Sequence, residues 1–183
     1  MAVNSANVAA GKPKRTGAIY SAPIGTTLPT DATTALGEAF VSLGYASDEG
    51  VTRSIERTVE NIRAWGGDTV LTTQTEYTET FEFELIESLD ATTRKEVFGQ
   101  ANVTGTLAAG MTTISNSAEL PERVYVIEMV MKNAVSRIVI PHGKISELGE
   151  VNYVDDDAIR YPVTITAFPD ASGNNTYEYT QTA

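Results

Sequence analysis

Between Gln74 and Glu87 the chain reads QTEYTETFEFELIE, and no other stretch restricts its fold so strongly. Tyr77, Phe81, Phe83 and Leu85 share one parity, while Glu76, Thr78, Thr80, Glu82 and Glu84 share the other. Side chains alternate across a strand, so the segment buries an aromatic face and turns carboxylates the opposite way. Ala158–Asp170 (AIRYPVTITAFPD) repeats the pattern. There Ile159, Tyr161, Val163, Ile165 and Ala167 alternate with Arg160, Pro162, Thr164 and Thr166. Proline donates no backbone hydrogen bond, which places Pro162 at an edge or a bulge. The turn formers at 169–175 end that strand, and Thr176–Gln181 is a short returning strand.

The remaining segments extend the same architecture. Gly17–Ala22 is a short strand and Pro23–Thr34 a loop rich in Pro, Gly and Thr. Phe40–Ala46 and Val51–Arg57 flank the turn Ser47–Gly50 and are expected to pair as a hairpin. Val59–Thr73 reads as a long hairpin or protruding loop, with Trp65 just before the turn Gly66-Gly67-Asp68. The only tryptophan is either a satellite core anchor or an interface anchor, since tryptophan is enriched in binding hot spots. Leu89–Phe98 is the one predicted helix, capped by Ser88 or Asp90, ended by Gly99, with Leu89, Val97 and Phe98 as its apolar stripe. Strands follow at 112–117, 122–132 and 135–140, the last two linked tightly through Lys132-Asn133-Ala134, and Lys144–Glu147 adds a short one. Many short strands with one helix indicate a mainly β fold, a sandwich or small barrel with a helical flank.

The 183 residues suffice for one packed domain, residues 16–183 with a protruding loop near 61–73, preceded by an arm at 1–15 that is small, polar and free of periodicity and is expected to be flexible in the free subunit. Without cysteine the fold rests on its core alone. The net charge of −11 is unevenly spread: Lys12, Lys14 and Arg15 make the arm basic, and the body carries all 24 acidic residues. An acidic body argues against a grip on DNA, which needs cations to displace phosphate counterions. It suits a surface that nucleic acid passes without sticking, and also plain solubility. No apolar run approaches the ~20 residues of a membrane span, and the N-terminus has no apolar signal core.

Chemistry finds little support. The single histidine, His142, reads as a loop residue after a strand, and no Gly-x-Ser-x-Gly elbow accompanies it. Zinc ligands are missing, and Asp155-Asp156-Asp157 lacks the alternating ligands of a calcium loop. Neither a phosphate-cradling glycine loop nor a dinucleotide fingerprint occurs. Nothing points to an enzyme, a cofactor or a metal.

Three segments, in order, resemble the major tail proteins of long-tailed phages, the subunits of the tail tube. They are GAIYSAPIGTTLPTDATTAL with AFVSLGYASDEGVT at 17–52, TFEFELIESLDATTRKEVFG at 80–99, and YPVTITAFPDASGN with YEY near the C-terminus, after the acidic loop at 155–157. The similarity runs over nearly the whole chain from about residue 15. The resemblance implies a β-sandwich or half-open barrel with one flanking helix. It also implies hexameric rings that stack into the conduit for DNA ejection, in a virion tail assembled in the host cytoplasm. Partners would be further copies of the chain, a tape-measure protein, a tail terminator and tail-tip proteins, with DNA passing unbound.

On that reading Glu76, Glu82 and Glu84 are candidate lumen-lining residues. Lys12, Lys14 and Arg15 of the arm, with Trp65 and Asp68 of the projecting segment, are candidate contacts between rings. A tube of the type VI secretion kind shares the implied fold. A carbohydrate-binding sandwich is an alternative of another class, disfavoured because Tyr77, Phe81 and Phe83 have core parity.

Overall fold

The computed structural model describes residues 3–14 and 17–183. It is a mainly antiparallel β structure with one helix, and its principal sheet curls into a barrel that does not close. The strands are β1 (Lys12–Pro13), β2 (Ile19–Pro23), β3 (Val41–Ser42), β4 (Ala46–Arg63) and β5 (Thr69–Leu85). After helix α1 (Ala91–Phe98) come β6 (Val103–Thr106), β7 (Gly110–Thr113), β8 (Arg123–Val130), β9 (Ala134–Leu148), β10 (Tyr161–Ala167) and β11 (Tyr177–Thr182). Their order is β3-β2-β8-β9-β10-β5-β4, with β1 added to β8 and β11 to β9, while β6 and β7 form a separate hairpin.

The two alternating segments meet as neighbours. Ile165 pairs with Phe81 and Val163 with Phe83, and all four are buried. Around them pack Ile19, Leu43, Leu85, Tyr125, Ile127, Ile138, Ile140, Ile145 and Tyr161. Burying such side chains contributes roughly 1.5–3 kcal/mol each, the main favourable term for a chain without covalent cross-links. Of the edge or bulge that Pro162 suggested, the edge is not found: β10 is a central strand, and its ladder with β9 shifts register between Thr164 and Ile165. The proline is tolerated because its carbonyl accepts from Gly149 N–H at 2.8 Å, so its donorless nitrogen faces the point where β9 has just ended.

β9 holds the two halves of the sheet together. Its first part pairs with β8 and β11, and its last part, from Gly143 to Leu148, pairs with β10. His142 therefore lies within a continuous strand and not in a loop. Pro141 does not end that strand, and the short strand expected at 144–147 is its continuation. Two other expectations change. Phe40–Ala46 does not pair with Val51–Arg57: Val41–Ser42 adds to β2, and Ala46 and then Val51–Arg63 pair with β5, with a shift of register between Ala46 and Val51. Tyr177–Thr182 crosses to β9 instead of folding back on β10, whose two edges are already taken by β9 and β5.

The helix starts at Asp90, whose carboxylate accepts from Thr93 N–H at 3.0 Å, and stops at Gly99 with φ 98°, a conformation suited to glycine. It plugs one end of the barrel. Val97 is buried and Phe98 meets Tyr161 edge-on, but Leu89 stays exposed.

Buried Glu96 ties this helix to the sheet. It accepts from Tyr125 Oη at 2.8 Å and Ser21 Oγ at 2.9 Å, with Arg123 Nε 3.2 Å away. Burial first, and then the Glu96 charge, pushes the Tyr125 phenol far up. Glu96→Gln keeps the shape but removes the charge these donors share. Urea unfolding is expected to show a loss of about 1–3 kcal/mol, and an unchanged midpoint would show that the contacts contribute nothing.

On the outside of β2, β8 and β9 a second set of apolar residues is buried: Ala22, Val124, Val126 and Val139. The segment at 24–40 lies over them and is pinned by Arg137. That guanidinium donates to the carbonyls of Asp31 at 2.7 Å and Thr34 at 2.8 Å, and pairs with Glu128 through two nitrogens. Asp31 also shapes the segment, its carboxylate accepting from the N–H groups of Thr33 and Thr34 at 2.7 and 2.6 Å. Hydrogen bonding from the Thr34 side chain, and then from the backbone N–H groups of Thr34 and Thr33, holds the Asp31 carboxyl well below the usual carboxylate range.

Candidate functional site: an acidic sheet face, a projecting hairpin and an open seam

The non-core face of β4, β5, β10 and β9 is the first functional feature. Cross-strand pairing lines up Thr52, Glu82, Thr164 and Glu147 in one row. A second row holds Ser54, Thr80, Thr166 and Lys144, and further along Glu56 faces Thr78 and Thr58 faces Glu76. The result is a wall of carboxylates and hydroxyls. Glu49, Glu82, Glu84 and Glu147 surround a hollow of about 190 Å³ on it.

The three acidic residues singled out from the sequence share this face without being equivalent. Glu82 is exposed. Glu76 is exposed on the outer half of the hairpin, where Thr58 Oγ1 donates to it at 3.4 Å. Glu84 is partly covered and paired with Arg160 Nη1 at 3.0 Å, while the other nitrogen of that guanidinium donates to Asp157 at 3.2 Å. Glu84, then Asp157, raises the Arg160 pKa. The pairing reduces the charge that Glu84 presents, so Glu82 and Glu147 are the stronger anions of the wall. Lys144, the other cation there, is bridged to Glu119 at 3.0 Å. Beside it His142 Nε2 lies 2.6 Å from Glu122, whose pKa is lowered by that hydrogen bond.

Sequence reasoning passed over Glu79, which has core parity among the aromatic residues. It is buried, and accepts from Arg53 Nε at 2.7 Å, Tyr77 Oη at 2.9 Å and Thr176 Oγ1 at 3.0 Å. A carboxylate on the apolar parity of a strand was the available signal, because such a group must be paired to be buried. Glu79 marks the base of the second feature, the hairpin of β4 and β5. Beyond it Ile55, Val59, Ile62, Val70 and Leu71 are all exposed, and the hairpin leaves the body. Its turn is closed by Ala64 N–H to Asp68 carbonyl at 2.8 Å and Gly67 N–H to Ala64 carbonyl at 3.0 Å. Trp65 is fully exposed there, so it anchors no core of its own subunit.

The third feature is the seam where the barrel stays open. A cleft of about 980 Å³ separates the far end of β8 (Ile127–Met129) from the start of β4 (Ala46–Val51). One wall is formed by Gly11–Lys14: Lys12 and Pro13 pair with Val130 and Met129, and Lys14 Nζ is 2.9 Å from Glu128 Oε2. Arg15, the third basic residue of the arm, lies outside the described residues.

Free edges complete the geometry. β4 pairs only with β5, and β9 loses its β8 partner after Gly143. An open barrel with unpaired edges on both sides of an acidic wall, and a hairpin carrying exposed apolar residues, has the architecture of an assembly subunit. No helix among the described residues is long and apolar enough to cross a membrane.

A family model described as phage tail tube protein matches residues 1–182, and the chain belongs to that family. It is thus a structural component of the phage tail and not an enzyme. Among solved structures, the cap that terminates the tube of the anti-feeding prophage is similar with a TM-score of 0.45 and 11% identity over the whole of both chains. No match was found among curated proteins.

Proposed function

We propose that six copies of this chain close into a ring, and that rings stack into the conduit through which phage DNA leaves. The acidic wall of β4, β5, β10 and β9 is directed to the lumen. One observation carries this reading: the face richest in carboxylate and hydroxyl groups lies on four strands whose outer edges are unpaired along β4 and along β9 after Gly143. Joining the β4 edge of one subunit to the β9 edge of the next satisfies both edges with a heterologous contact that closes by rotation. It also extends the acidic face around the inside. Such a lining repels phosphate and lets DNA slide. Six is the ring size that the family resemblance implies.

Glu76, Glu82 and Glu84 lie on that face. Trp65 and Asp68 at the hairpin turn contact the adjoining ring, together with Lys12, Lys14 and Arg15 of the arm. Growth starts and ends on tape-measure, tail-tip and terminator proteins in the host cytoplasm. A map of assembled tubes tests the reading directly, and an outward-facing β5 wall would overturn the lumen assignment.

Charge reversal gives a second test. Tubes carrying Glu82→Lys and Glu147→Lys are expected to retain short duplex DNA, while unaltered tubes do not. The retained DNA should resist nuclease and be released steeply as salt rises. Retained DNA that nuclease digests would place the wall on the outside.

A further inference from the structure

The edge of β8 is guarded by a segment that has little holding it there. β2 pairs along this edge only as far as Ile127, opposite Ile19. From there Glu128 N–H donates to the Ala18 carbonyl at 2.7 Å, and the two residues of β1 cover Met129 and Val130. β9 occupies the other edge at the same residues, so β1 continues the line of β2. Lysine followed by proline is a typical edge blocker: proline offers no donor to a further strand, and the charge resists burial.

The hold is weak by every measure. Only two residue pairs form, and the side chain of Lys14 remains 42% exposed in its ion pair. An ion pair with one partner this exposed is screened by solvent and holds the segment only lightly. Residues 7–13 are all exposed, and the side chains of Val3 and Val8 find no place in the core. The seat itself does not depend on this segment. Glu128 Oε1 is held by buried Arg137, so the carboxylate stays compensated when Lys14 leaves Oε2. Removing the segment uncovers an intact edge at 128–130 beside a cleft lined by Ile127, Met129, Tyr45 and Val51.

We propose that residues 3–14 form an exchangeable strap. In the single subunit the strap closes its own β8 edge, and on assembly that seat, with Glu128 as charge partner, takes the strap of a second copy. A seat that fits its own strap fits the identical strap of a neighbour, and exchange costs no contact that it does not restore. The strap in its own seat is then a brake: a free edge is masked until a second copy brings its own. This deepens the proposed contact of the basic arm with a neighbour and rests on the tube reading for the identity of the second copy.

Disulfide trapping tests it against no background, because the chain has no cysteine. A Cβ placed on Gly11 lies 4.0 Å from that of Met129, within disulfide range. The double variant Gly11→Cys/Met129→Cys is expected to close an intrachain bond in the dilute subunit. The two single variants, mixed, are expected to give a disulfide-linked heterodimer whose yield rises with concentration. Adding Lys14→Glu to the Gly11→Cys chain should lower that yield about fivefold or more at low salt. Absence of the intrachain bond would overturn the seat, and absence of the heterodimer at every concentration would overturn exchange. Sedimentation of the unaltered chain reads the tube separately. Heterodimers without tubes would sink the tube reading alone, and tubes without heterodimers would sink the exchange alone.

Discussion

Replacing Arg137 with alanine is expected to destabilise the subunit by about 3–5 kcal/mol, measured by urea unfolding near neutral pH. The size follows from what remains behind. Arg137 is completely buried and serves Glu128 and two backbone carbonyls of the segment at 24–40. Without it, Glu128 keeps only the half-exposed Lys14, and both carbonyls lose their donors under a covering segment that no longer has its pin. Amide exchange at 24–40 should therefore quicken more than exchange in β5 or β10. The double variant Arg137→Met/Glu128→Met removes both charges together and should recover the part of the loss that the unpaired Glu128 carries, while the carbonyls of Asp31 and Thr34 stay without their donors. If Arg137→Ala costs under 1 kcal/mol, or the double variant is worse than the single, the pin is not what holds this face.

Trp65→Ala is expected to do the reverse: no effect on the subunit and a large effect on assembly. A fully exposed side chain contributes little to folding, within about 0.5 kcal/mol, so the unfolding midpoint should not move. As an aromatic anchor between rings it would contribute about 2–4 kcal/mol per contact. The critical concentration for tube growth, read by sedimentation, then rises between about thirty- and several-hundred-fold. A lower melting temperature would assign the residue to the subunit's own stability. An unchanged critical concentration would remove it from the interface.

The two experiments separate what a single subunit needs from what a tube needs, and the structure divides its polar groups along the same line. Glu79, Glu96 and Glu128 are buried, and each is paired with an arginine: Arg53, Arg123 and Arg137. They lock the hairpin base, the helix and the covering segment onto one sheet. Glu56, Glu76, Glu82 and Glu147 remain exposed on a single face, where they repel each other mildly and screening by salt limits the cost. Under the proposed lumen assignment that face has a use which it would not have in a solitary domain.

Local pattern by itself determined which residues go inside along β5 and β10 and where the helix ends, while its start, left between Ser88 and Asp90, falls at Asp90 with Leu89 outside it. Alternation sorts side chains between two faces whatever the partner strand, and the Asp90 and Gly99 caps act within one turn. Composition alone determined that no disulfide holds the fold and that the body is acidic. Strand partnership needed the tertiary structure. Val51–Arg57 had a turn and an adjacent strand on one side, but the long ladder from Val51 to Arg63 with β5 outweighs a short local hairpin. His142 looked like a loop residue because Pro141 and Gly143 flank it, yet β8 and β10 pair around those positions and carry the strand through. No pattern in the sequence marks Glu96 or Glu128 for burial, and Glu79 shows only its core parity. Only packing decides which carboxylates meet an arginine from a distant strand, and that meeting is what permits a charge to be buried.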